Sequence, residues 1–137
     1  MERGQSMEEL FIEADVDNMD AVLDFVGSRL EDCHPKVRNQ IAMAVDEVFS
    51  NIARYAYCPK RGGAKVRIAV DDDITVEFED SGVPYNPLFA EAPDTSLSAE
   101  EREVGGLGIF MVKNIMDSVK YKREGDKNIL TVKKRSN

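Results

Sequence analysis

The sequence predicts an α+β fold: a two-layer α/β sandwich, with helices on one face of a mixed, mostly antiparallel sheet. Three observations predict it. Residues 35–57 carry one long apolar stripe at helical spacing. Two pairs of alternating segments, 66–70 with 74–78 and 119–123 with 129–134, are joined by short runs of turn formers, the pattern of hairpins. The resulting order, β-α-α-β-β-α-β-β, lacks strict βαβ alternation and so favours helices gathered on one side of the sheet.

Taken in order, residues 1–6 read as a tail without apolar residues beyond Met1. Leu10, Phe11, Ile12 and Ala14 predict a first strand, made an exposed one by Glu8, Glu9 and Glu13. Asp17 and Asn18 are cap formers, and Met19, Val22, Leu23, Val26 and Leu30 follow at helical spacing. His34-Pro35 breaks the chain, and Pro35 suits the first turn of the next helix. That helix carries Val37, Ile41, Ala44, Val45, Val48, Ile52 and Tyr55 on one stripe, and Pro59 with Gly62-Gly63 ends it. Asp71-Asp72-Asp73 joins the first hairpin. Asp80-Ser81-Gly82-Val83-Pro84 is turn chemistry. Periodicity then fades over residues 88–104, a length that marks a functional lid in so small a domain. Gly105-Gly106-Leu107-Gly108 opens a further apolar helix, and Gly125-Asp126 turns the closing hairpin.

Composition narrows the function. The chain has 137 residues, enough for one domain, which the sequence places at 7–137. Against 18 Lys and Arg stand 26 Asp and Glu, a net charge of −8. That disfavours direct nucleic-acid binding, which rewards basic patches. No apolar run approaches the roughly 20 residues of a spanning helix, and no apolar leader stands at the start, so a cytoplasmic protein without membrane contact is expected. Cys33 and Cys58 read as free thiols, and with His34 as the one histidine a Cys/His metal site is not expected.

Three patterns carry chemistry. Glu47 and Asn51 stand four residues apart on the long helix. At about 100° per residue both fall on the flank of the apolar stripe, where side chains line a crevice between helix and sheet. An Asn carbonyl suits magnesium, and a neighbouring carboxylate can take a proton from an attacking hydroxyl. Asp80, ending a strand, can accept from an exocyclic amine, while Gly82 permits close approach of backbone to a flat ring. Gly105-Gly106-Leu107-Gly108 leads into a helix, whose N-terminal N–H groups suit phosphate. Each pattern alone is as common in solvated edges and ordinary turns; together they are specific. A P-loop is absent, and a Rossmann fingerprint fails for want of a preceding strand and a third glycine.

Jointly these motifs resemble the Bergerat, or histidine-kinase-like, ATP-binding fold. Within that superfamily, Asp80-Ser81-Gly82-Val83-Pro84-Tyr85-Asn86-Pro87 is similar to the Asp-x-Gly-x-Pro-Phe-Asp-Pro signature of the anti-sigma-factor serine/threonine kinases. Gly106-Leu107-Gly108-Ile109-Phe110-Met111-Val112 and Ile129-Leu130-Thr131-Val132-Lys133-Lys134 resemble the same branch. The resemblance implies ATP and Mg2+ as cofactors. Asn51 would bind the metal, and Glu47 would be the general base. Asp80 would hold the adenine amine, Gly82 would lie beneath the ring, and Thr131 would assist through a water. Gly105, Gly106, Leu107 and Gly108 would cradle the phosphates, and Arg102 would approach the terminal one.

The resemblance further implies a kinase that phosphorylates a STAS-domain anti-anti-sigma protein and alternately sequesters a sigma factor. Such proteins often form homodimers, and the first strand and helix could supply that surface. Two departures stand out: Tyr55 replaces a usual His and Asn86 a usual Asp. They keep open an alternative, an ATP-binding regulatory module without kinase activity.

Overall fold

The longest periodic stretch of the sequence folds as the longest helix. A computed structural model describes residues 7–57, 62–84, 86 and 104–136, with the backbone alone at 104–107. In it the stripe becomes α2 (Pro35–Tyr55). Pro35 sits in the first turn, and the His34 side chain caps it by accepting from the Lys36 N–H at 3.1 Å. Val37, Ile41, Ala44, Val45, Val48, Phe49 and Ile52 are buried. The helix stops two residues short of the expected end. Tyr57 has already turned away: its hydroxyl donates to the Gly63 carbonyl at 2.6 Å and accepts from the Ser81 N–H at 2.7 Å. One phenol thereby ties the end of α2 to both strands of the first hairpin.

Before α2 come β1 (Glu8–Glu13), a 3-10 turn at Val16–Asn18, and α1 (Met19–Gly27). Capping here falls to Asp15 rather than to Asp17 or Asn18. Asp15 Oδ1 accepts from the Asp17 N–H at 2.9 Å, while Asn18 makes no side-chain cap and donates its amide to the Glu13 carbonyl at 3.0 Å. An aspartate just before the turn satisfies orphan N–H groups that the residues inside it cannot reach. Leu30 lies beyond the end of α1 yet is buried in the core.

The remaining elements are β2 (Gly63–Val70), β3 (Asp73–Asp80), α3 (Val104–Ile115), β4 (Ser118–Glu124) and β5 (Lys127–Arg135). The five strands form one sheet in the order β1-β2-β3-β5-β4. Each neighbouring pair is antiparallel, so the described strands realise the antiparallel character throughout, with no parallel pair among them. Gly125, at φ +62°, makes the turn between β4 and β5, a conformation natural to glycine. Residues 1–6 and 88–103 of the expected tail and lid lie outside the described residues, whereas Val104 already belongs to α3.

Period-two alternation gives the sheet two different faces. Val66, Ile68, Val76, Phe78, Leu130 and Val132 are buried in the core shared with the helices. Their alternates build the outer face, where Glu9, Arg67, Glu77, Thr131 and Lys120 form one cross-strand row. Arg67 anchors it, reaching Glu79 at 2.7 Å, Glu77 at 2.8 Å and Glu9 at 2.9 Å, and Lys127 adds a contact to Glu79 at 3.4 Å.

Burial alone would push the Glu79 carboxyl up; the hydrogen bond and charge of Arg67, then those of Lys127, overcome it and hold the group below its ordinary 4.5. A lowered native value stabilises the fold above the unfolded-state pKa, and the contribution is lost as pH falls through the native one. Arg67→Met is therefore expected to cost about 1–3 kcal/mol at neutral pH. The deficit shrinks as Glu79 protonates in acid. Thermal melts of the two proteins across that range check this; a gap independent of pH would contradict it.

Candidate functional site

Elements far apart in the chain converge at one end of the sheet. α2 turns Val48, Asn51, Ile52 and Tyr55 toward it, β3 brings Phe78 and Asp80, α3 brings Ile109, and β4 and β5 bring Tyr121, Asn128 and Leu130; together they line one crevice. Its walls are largely apolar, and its polar groups are few, the composition of a small-molecule site.

Asn51 is the outstanding one. It is only 5% exposed, and among the described residues neither its Oδ1 nor its Nδ2 has a hydrogen-bond partner. A buried amide without partners costs about 1–3 kcal/mol, and native proteins rarely leave one so unless a ligand completes it. One turn earlier on the same helix lies Glu47. Burial first, then the charge of Asp46, push its carboxyl above the ordinary 4.5, while Arg54 partly offsets them. Glu47 lines a neighbouring groove with Arg54, Gly108, Phe110 and Asn114. Its carboxylate rests directly on α3: a Cβ at Gly108 would fall 1.8 Å from Glu47 Cδ. Only glycine allows this contact between the two helices.

Asp80 is buried at the end of β3. Its Oδ1 accepts from the Gly82 N–H at 2.8 Å, which is the Asx turn expected of Asp-x-Gly, and from Asn128 Nδ2 at 2.9 Å. Its Oδ2 has no hydrogen bond among the described residues.

The structure places two other expected residues differently. Thr131 does not enter the crevice. It pairs with Glu77 in the β3–β5 register and its hydroxyl lies 3.3 Å from Glu77 Oε2, on the outer face. The alternation of Leu130 and Val132 toward the core forces Thr131 the other way. Asn128, buried and opposite Asp80 in the same register, is the polar residue of β5 that lines the crevice. The signal was available, because Asn128 is the polar member of the inward series Asn128, Leu130, Val132. Gly82, expected beneath a ring, packs on α2: the space of its missing Cβ is taken by the Ala56 carbonyl, 2.1 Å away.

Gly105, Gly106 and Leu107 lie in the first turn of α3, where the N–H groups of Gly105 and Gly106 have no intrahelical acceptor. Arg102 lies outside the described residues. No group of three or more His, Cys, Asp or Glu suited to a metal occurs among the described residues. A magnesium ion here would therefore lean on an amide oxygen, waters and phosphates, a donor set it accepts, and Asn51 Oδ1 fits that role.

Residues 12–134 match the family model described as the histidine kinase-like ATPase domain. The chain belongs to this family. It is 24% identical over 100 residues to the serine/threonine-protein kinase BtrW of Bordetella bronchiseptica, covering 71% of this chain and 70% of that one. It is 26% identical over 98 residues to the serine-protein kinase RsbW of Listeria monocytogenes, covering 66% and 62%. Among solved structures, the histidine kinase domain of the blue-light-activated kinase from Erythrobacter litoralis aligns with TM-score 0.52 at 16% identity, over 86% of this chain and 61% of that one. The Acinetobacter baumannii histidine kinase AdeS aligns with the same TM-score and identity, over 98% and 70%. At that identity the structures establish the fold, and the family's sandwich of helices on an antiparallel sheet is the one described above. No described helix is long and apolar enough to cross a membrane.

Proposed function

We propose that this chain is a cytoplasmic, Mg2+-dependent serine/threonine protein kinase and anti-sigma factor. It moves the γ-phosphoryl group of ATP to a hydroxyl of a STAS-domain anti-anti-sigma partner and, in the alternative state, sequesters a sigma factor. The observation that carries the proposal is the buried, unpartnered amide of Asn51 in a crevice that also holds Asp80. The similarity to BtrW and RsbW, both named as protein kinases, supports the chemistry.

In this reading Asp80 accepts from the base amine, and Asn51 Oδ1 holds the metal. Held by Asn51, magnesium would supply positive charge to neutralise the phosphates. The backbone of Gly105, Gly106, Leu107 and Gly108 receives the phosphates at the start of α3, with Arg102 approaching the terminal one. Glu47 takes the proton as the partner's hydroxyl oxygen bonds to γ-phosphorus and the bond to the bridging oxygen breaks, releasing ADP. Its raised pKa makes the carboxylate a stronger base toward the proton it must accept. Glu47 works only when ionised, so transfer falls as pH drops through a value above the ordinary glutamate 4.5. The crevice leaves about 40 Å³ of water-accessible space, so a base enters as rim side chains such as the exposed Tyr55 move aside.

The test is transfer of label from ATP to candidate STAS proteins, with Glu47→Gln alongside. Loss of the base is expected to slow transfer by about 10²–10⁴-fold while ATP binding persists. Tyr55, exposed at the rim in place of the usual His, favours the second reading, a module that holds ATP without transferring it. A wild-type protein that binds ATP and labels no partner would establish that reading instead.

A further inference from the structure

Beside Asp80 the crevice floor is a closed hydrogen-bond circuit centred on Asn128. Asn128 Nδ2 donates to Asp80 Oδ1 at 2.9 Å and to the Val83 carbonyl at 2.8 Å. Asn128 Oδ1 accepts from the Tyr121 hydroxyl at 2.5 Å and from Arg123 Nη1 at 3.2 Å. Arg123 Nη1 also donates to the Gly82 carbonyl at 2.9 Å, and the Gly82 N–H is taken by Asp80 Oδ1. An amide has two N–H donors and a guanidinium nitrogen two. The donors of Asn128 Nδ2, the Tyr121 hydroxyl, Arg123 Nη1 and the Gly82 N–H are thus all consumed within the protein. What remains toward the crevice is Asp80 Oδ2, an acceptor, and the lone pairs of the Tyr121 oxygen. Among the described residues that line the crevice, the amide of Asn51, across on α2, is an uncommitted donor.

We propose that Asn128 is the specificity-determining residue of the base pocket: by absorbing the Tyr121 hydroxyl donor and one N–H of Arg123 Nη1 it leaves the acceptor Asp80 Oδ2 to face the ligand, and so selects a 6-aminopurine nucleotide against a 6-oxopurine one. This rests on the nucleotide-binding reading of the same crevice. An exocyclic amine brings the donor that Asp80 Oδ2 lacks. A ring carbonyl at that place sets oxygen against oxygen, and a buried acceptor left facing another rejects the ligand strongly. Asn128 enforces this through its neighbour, since its removal releases the hydroxyl donor of Tyr121, which lines the crevice and is a group a carbonyl needs.

The experiment titrates ATP and inosine triphosphate, each with magnesium, into wild type, Asn128→Leu, Asn128→Ser and Asn128→Leu/Tyr121→Phe, with melting curves to establish folding. Wild type is expected to favour ATP by about tenfold or more. In Asn128→Leu the ratio falls toward one, through weaker ATP binding and stronger inosine triphosphate binding. Asn128→Ser, which keeps one hydroxyl but reaches fewer partners, falls between. Removing the freed phenol in the double variant restores part of the preference. A purely structural role would weaken both nucleotides equally; an unchanged ratio in Asn128→Leu and Asn128→Ser overturns the proposal. Wild type binding neither nucleotide overturns the nucleotide reading itself, and the first titration reveals it before any variant is made.

Discussion

Asn51→Leu is expected to make the protein more stable and unable to bind magnesium nucleotide. Leucine branches at the same carbon as asparagine and brings no polar atoms into a site where both amide atoms lack partners. The desolvation cost of those atoms, about 1–3 kcal/mol, is then removed. The neighbours Val48, Ile52, Phe78 and Ile109 around the crevice are apolar and suit it. Function moves the other way. Losing a group that stands behind a metal ligand costs roughly 10–100-fold in affinity, and losing the ligand itself costs at least as much. Melting curves in chelator and titrations with Mg-ATP read the two effects separately. A variant no more stable than wild type, or one that binds equally well, would contradict the role given to Asn51. This trade of stability for function is the pattern by which a binding site shows itself.

Two glycines are expected to respond to alanine in opposite ways, although a Cβ at either meets atoms at under 2.2 Å. At Gly82 the obstacle is backbone, the Ala56 carbonyl, which also accepts from the Val83 N–H at 3.0 Å. It cannot retreat without opening the junction of α2 and β3, so Gly82→Ala should cost about 3 kcal/mol or more. At Gly108 the obstacle is the end of the Glu47 side chain, which can swing away. Alanine inside α3 gains about 1 kcal/mol of helix propensity, so Gly108→Ala keeps or improves the fold. It displaces the carboxylate, however, and phosphoryl transfer should fall about 10²–10⁴-fold, as when the base is removed. Chemical denaturation and labelled-ATP transfer, run on both variants, separate the cases. A stable Gly82→Ala or a fully active Gly108→Ala would contradict this account.

Much of this was legible in the sequence because the relevant signals are local. The stripe of α2 fixed which flank carries Glu47 and Asn51, and the two hairpins followed from alternation and turn residues. Features set by tertiary packing were less legible. Gly82 reads as a place for a ligand, yet it is needed because β3 leaves the sheet across the end of α2, a crossing no local pattern announces. The capping bond falls to Asp15 because the chain takes a 3-10 turn before α1, whose own N-cap, Asn18, makes no side-chain cap bond. The role of Thr131 is implied by the family resemblance, whereas the alternation of its own strand points it outward and points Asn128 inward.

The central claim is that α2, the end of β3 and the start of α3 assemble around one magnesium-bound nucleotide. Calorimetric titration of ATP into the wild-type protein, with magnesium and again with chelator, tests it most directly, with Asp80→Ala as the partner sample. The account predicts saturable binding that weakens sharply without magnesium and disappears in Asp80→Ala while that variant remains folded. Binding indifferent to both magnesium and Asp80, or no binding at millimolar ATP, would contradict it.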